Sequence, residues 1–129
     1  MLKIYTDAST KGDTGLSGGG VLIVGPNIHE QLSFPLGKMD NHEAEFATLI
    51  TALEYLQDTT ETLFFHTDSK VVSETLDRNH TKNPVFAPYL ARFNQLSQQF
   101  PLVIVKWIPE SENKGADHLA RQGLKKNKS

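Results

Sequence analysis

The chain has 129 residues, 38% hydrophobic and 22% charged, with a formal net charge of −2, a size and balance that predict one soluble domain with one core. This charge gives no strong basic field to draw in nucleic acid, so any polyanion must be bound locally. The absence of cysteine excludes disulfides, iron–sulfur clusters and thiol catalysis.

MLKIYTDAST lacks a signal peptide's apolar core, and no apolar run approaches the roughly 20 residues of a membrane helix. The cytoplasm is therefore the expected compartment, and a monomer is expected. Residues 2 to 7 read as a strand that ends in Asp7. GGGVLIVGPNIHEQLSFPL reads as two further strands joined at Gly25-Pro26-Asn27, a turn signal between β-branched runs. From Asn41 to about Gln57 the period becomes helical, with Phe46, Leu49, Ile50, Leu53 and Leu56 on one face. TLFFHTD, 62 to 68, is a short buried-type strand; a helix over SKVVSETLD and a loop from Asn79 to Pro84 follow. A helix is expected from Pro88 to Gln98, a last strand over LVIVKWI, 102 to 108, and a closing helix marked by Ala116, Leu119, Ala120, Gly123 and Leu124. The basic tail from about residue 125 is expected to fray. The order βββαβααβα predicts a single α/β domain over residues 1–129, a mixed sheet with strands 1, 4 and 5 as parallel neighbours. Ligands of such sheets gather at the carboxyl ends of parallel strands, where Asp7 and Asp68 fall.

Four acids stand out, each with an ordinary role of its own. Asp7 can form a turn, Asp68 can cap the helix after it, and Asp117 can sit at the positive end of the last helix. Glu45 lies roughly 75° from the centre of its helix's apolar stripe, at the boundary between core and solvent. Glu43 lies at a similar angle on the other edge, and the wheel does not choose between them. Taken together, these acids would share one pocket. Two unit charges about 4 Å apart repel by about 4 kcal/mol at an effective dielectric near 20, so the cluster calls for protons or cations. Oxygen-only ligands select hard divalent ions, Mg²⁺ above all.

YTDAS with Asp7, NHEAEFATLITAL with Glu45, FHTDSKVV with Asp68 and ENKGADHLAR with Asp117 resemble, in order and spacing, the four signature segments of type 1 ribonuclease H. The match runs from residue 2 to about 123. The resemblance implies a five-stranded mixed sheet flanked by helices and metal-dependent hydrolysis of the RNA strand of RNA–DNA hybrids. By motif position, Asp7 would bridge two Mg²⁺ ions, with Mn²⁺ as a substitute. Glu45 and Asp68 would hold the ion that activates water, and Asp117 the second. Asn41 and His42 would read 2′-hydroxyls, with Ala8 and Ser9 near the RNA; taken alone, Asn41 reads as a helix N-cap, and the two roles are compatible. Duplex RNA is a further candidate substrate.

The chain departs from the family at several positions, among them Asp13 and Asp40, whose extra negative charge near phosphate should weaken binding. The loop IPESENKGA lacks the histidine that members often carry there, which leaves Glu110 or Glu112 as stand-ins, while His118 should point away from the apolar face. A basic helical protrusion is also missing: between Leu76 and Leu102 the strong bases are Arg78, Lys82 and Arg92. A non-cleaving module that binds nucleic acid or a protein is therefore the alternative. A phosphoacceptor receiver domain is disfavoured by the hairpin, and zinc hydrolysis by the missing second histidine after His42-Glu43.

Overall fold

The computed structural model describes residues 1–127. The elements in chain order are β1 (Leu2–Thr10), β2 (Leu16–Gly25), β3 (Ile28–Lys38), α1 (Asn41–Tyr55), β4 (Leu63–Thr67), α2 (Lys70–Arg78), α3 (Phe86–Ser97), β5 (Val103–Trp107) and α4 (Lys114–Lys125), with a 3-10 turn at Glu110–Glu112 before α4. This is the expected order. The five strands form one mixed sheet in the order β3-β2-β1-β4-β5. The hairpin strands run antiparallel, while β1, β4 and β5 are parallel neighbours.

Alternation along β1 buries Leu2, Ile4 and Thr6 and leaves Lys3 exposed. The main core joins this face to α1, through Phe46, Leu49 and Leu53, and to Phe65, Val72 and Leu96. The opposite face of the hairpin carries α4, and the glycine run of β2 explains how closely. A Cβ on Gly18 would stand 2.0 Å from the Leu124 nitrogen, and one on Gly20 2.4 Å from the Ala116 carbonyl oxygen. The helix answers with Gly123, whose own Cβ would meet the Phe34 carbonyl at 2.5 Å. Helix and strand thus meet backbone to backbone, which only glycine permits.

Several local expectations are corrected. β1 does not stop at Asp7. Its parallel pairing with β4 ends at Thr6 and Thr67, but its antiparallel pairing with β2 continues to Thr10 opposite Ser17. Asp7 is thus held by a neighbour strand on one side and open on the other. Helix α3 begins two residues before Pro88, because the first turn of a helix does not need the amide that proline lacks. Of the tail expected to fray, Lys125 ends α4, the Lys126 ammonium donates to the Ser33 carbonyl at 2.8 Å, and the Asn127 amide donates to the Ser17 carbonyl at 2.8 Å. Lys128 and Ser129 lie outside the described residues. Among the described residues, no helix is long and apolar enough to cross a membrane.

Candidate active site

Where β1 and β4 part, a cavity of about 350 Å³ opens, lined by Asp7, Ala8, Asn41, His42, Glu45, Asp68 and Asp117 among others. Seven of the eight site residues expected from sequence therefore share one cavity. Ser9 follows Ala8 on β1, paired with Gly18, and does not line it. Carboxylate oxygens of Asp7, Glu45 and Asp68 can be chosen that all lie within 4.8 Å of one another. Asp117 stands outside this trio at the rim, with its Oδ2 3.2 Å from the Arg121 guanidinium one helical turn on.

Helix α1 brings Glu45 in. The boundary position expected from the wheel proves to be inside: Glu45 is only 4% exposed. Glu43, its rival on the other edge, is half-buried and accepts a hydrogen bond from the Tyr89 hydroxyl of α3 at 2.7 Å. The Ala8 N–H donates to Asp7 Oδ1 at 2.9 Å and to Glu45 Oε1 at 2.6 Å, so one backbone donor holds two carboxylates. Glu45 Oε2 is buried with no hydrogen-bond partner among the described residues. An unpartnered carboxylate oxygen at such a site fits a cation as the missing neighbour, because burial otherwise penalises it.

Two expected helix caps are corrected. Asp68 is not the cap of α2. The next residue is, with Ser69 Oγ accepting from the Val72 N–H at 3.2 Å, and the Asp68 carboxylate is left to face the cavity. Nor does Asn41 cap α1: Asp40 Oδ1 accepts from the Glu43 N–H at 2.8 Å, and Asn41 is the first helical residue, exposed and on the cavity wall.

Burial and the charge of Asp68 push the Asp7 carboxyl up to about 7. Burial, with Asp7 beside it, holds Glu45 well above the ordinary carboxylate range. Burial also raises Asp68, helped by the charge of Glu110 and opposed by a hydrogen bond from Asn113. Of the two acids considered as stand-ins for the loop histidine, Glu110 lines the cavity and Glu112 does not. His118 is exposed, as expected, beside the Gln122 amide.

The family model described as reverse transcriptase-like matches residues 5–123. The ribonuclease H of Thiobacillus denitrificans is 31% identical, the match covering 96% of this chain and 93% of that one. The chain belongs to the ribonuclease H family. The EbsB protein of Enterococcus faecalis is 49% identical over 98% of this chain and 96% of its own. Among solved structures, the ribonuclease H1 of the archaeon Halobacterium salinarum superposes with a TM-score of 0.89 at 25% identity, covering 98% of each chain. LC11 ribonuclease H1, determined in complex with an RNA/DNA hybrid, superposes with a TM-score of 0.88 at 25% identity and the same coverage.

This ribonuclease H chain also uses a residue that the sequence reading passes over. Asn113, 1% exposed, sends its side-chain amide to the Thr6 carbonyl at 2.9 Å and to Asp68 Oδ2 at 3.3 Å. It thereby ties the end of β4 to β1 beneath the carboxylates, and its backbone carbonyl accepts the Asp117 N–H at 3.0 Å. An Asn just before a helix reads as a cap, yet here the side chain makes no cap bond.

Proposed function

We propose that the chain is an endoribonuclease that hydrolyses the RNA strand of RNA–DNA hybrids with two divalent cations held by Asp7, Glu45, Asp68 and Asp117. The observation that carries this reading is the convergence of three carboxylates from three elements on one cavity, with a buried oxygen of Glu45 left without a partner. The all-oxygen donor set favours Mg²⁺, with Mn²⁺ as a substitute. Held there by Asp7, Glu45, Asp68 and Asp117, such ions would supply activation of a water nucleophile and charge stabilisation at the leaving oxygen.

The chain's own groups hold the site in place. The Ala8 N–H fixes Asp7 and Glu45, and the Asn113 amide fixes Asp68. Asp117 adds a fourth carboxylate from the cavity rim, where its other neighbour is the exposed Arg121. At the mouth, Asn41 and His42 present an amide and an imidazole where the ribose of the cut strand would pass, which supports the reading of 2′-hydroxyls. The hybrid complex of the LC11 relative supports the choice of substrate.

The test is cleavage of labelled RNA–DNA hybrid, duplex RNA and duplex DNA in Mg²⁺ or Mn²⁺. Hybrid cleavage that stops on chelation is expected; an intact hybrid in both metals overturns the proposal. The ion pair that holds Asp117 away from the trio favours the alternative of a non-cleaving module, for which the same assay would show hybrid bound and uncut.

A further inference from the structure

No Asp or Glu lies between Asp77 and Glu110, a stretch that carries Arg78, Lys82, Arg92 and Lys106 in a chain of net charge −2. Arg92 is committed to Glu54 at 3.0 Å, whereas Arg78 and Lys82 have no ion-pair partner among the described residues. These two, with His80, line a cavity of about 360 Å³ against α2, and Val71 is common to its wall and that of the carboxylate cavity. Asn79 builds it. With φ at 51° it ends α2 in the left-handed region and turns the chain back, and Asn94 donates to its Oδ1 at 2.8 Å. His80, Thr81 and Lys82 are thereby laid along the helix they have just left. Arg78 alone would be accounted for by the negative end of the α2 dipole; Lys82 and His80 are outside the helix and are not.

We propose that this cavity is a second anchoring site, which takes a backbone phosphate of the bound duplex between Arg78, His80 and Lys82. Two unpaired cations suit a phosphodiester, and the hydroxyls of Thr75 and Thr81 add donors. Thr81 Oγ1 accepts from the Asn83 N–H at 3.1 Å, which leaves its own proton free to donate. Eight residues of α2 separate Lys70, on the wall of the carboxylate cavity, from Arg78, about 12 Å at the helical rise. One strand advances only about 3.4 Å of duplex axis per nucleotide. The phosphate held here therefore lies several steps from the cut or on the complementary strand. The inference rests on the proposed hybrid substrate, and its one opposing group is Glu74 in the cavity wall.

The experiment measures hybrid binding by fluorescence anisotropy across a salt series, in Ca²⁺, alongside kcat and KM for cleavage in Mg²⁺. Arg78→Ala/Lys82→Ala should flatten the log–log salt slope by about 1 to 2 and raise KM roughly tenfold with kcat unchanged. Glu74→Gln should tighten binding by roughly threefold, which the loss of a merely structural contact would not do. Arg92→Ala, in the same base-rich stretch, should change neither. Methylphosphonate linkages placed in the RNA or the DNA strand identify the strand, since neutralising the held phosphate abolishes the difference between wild type and double variant. An unchanged slope and KM in the double variant, with an unchanged melting temperature, overturns the anchoring site. Absence of cleavage by the wild type overturns the hydrolase reading instead, and the binding arm still decides the cavity.

Discussion

The Ala8 N–H is shared between Asp7 and Glu45, and burial side by side disfavours the charged form of both carboxyls. Acids raised in the folded state hold protons more tightly there than in the unfolded chain, so their protonation favours folding. That stability is complete below the ordinary carboxylate value of 3.8 and is lost as pH rises through about 7, the value reached by Asp7. Thermal melting in chelator should accordingly show a lower midpoint at pH 8 than at pH 5.5, and Mg²⁺ should restore it at pH 8. Asp7→Asn removes the charge that causes the loss. It should raise the chelator midpoint at pH 8 while reducing hybrid cleavage to background; retained cleavage in Asp7→Asn would end the metal-site reading. Asn113 makes a different prediction. Its loss leaves the Thr6 carbonyl and Asp68 without their donor, so Asn113→Ala should cost about 1–3 kcal/mol in melting and reduce kcat by roughly 10- to 100-fold with KM little moved. The four acids were legible in the sequence as a set, because four segments resemble the ribonuclease H signatures in order and spacing, although each acid alone had an ordinary role. Asn113 was not, because a neutral amide beside a helix start has an adequate local explanation.

At the scale of elements, caps and close contacts decide where side chains end up. The swap of cap from Asn41 to Asp40 separates two roles that the sequence left joined. Asp40→Ala should cost about 1 kcal/mol in melting. Asn41→Ala should leave the midpoint within about 0.5 kcal/mol of wild type and instead weaken discrimination between hybrid and duplex DNA, measured as a ratio of binding constants. Equal loss on both duplexes would remove Asn41 from the reading of 2′-hydroxyls. The element order and the parallel centre of the sheet were legible because periodicity and turn residues report them directly. The helical wheel could not separate Glu43 from Glu45, since the choice is made by neighbours distant in sequence, Ala8 on one side and Tyr89 on the other. The glycines of β2 read simply as part of a strand, yet Gly18 and Gly20 are the seat of α4. Gly20→Ala drives a methyl into the Ala116 carbonyl and should cost about 3 kcal/mol, measured by denaturant midpoint, and displace the helix that carries Asp117.

Across the whole molecule, charge is segregated rather than scarce. A net charge of −2 conceals an acid-free stretch from Arg78 to Pro109, which spans α3 and β5, because an average over the chain cannot report where its charges lie. The same long view applies to how the site comes into being. The hydrogen bond from Asn113 to Thr6 joins residues 107 positions apart, and Asp117 arrives on the helix that follows. Asp7, Glu45 and Asp68 come from β1, α1 and the end of β4, whereas the amide that braces Asp68 and the fourth acid lie beyond β5. The cavity wall is therefore complete only with α4 seated on Gly18 and Gly20 of β2, a contact that no local stretch of chain supplies by itself.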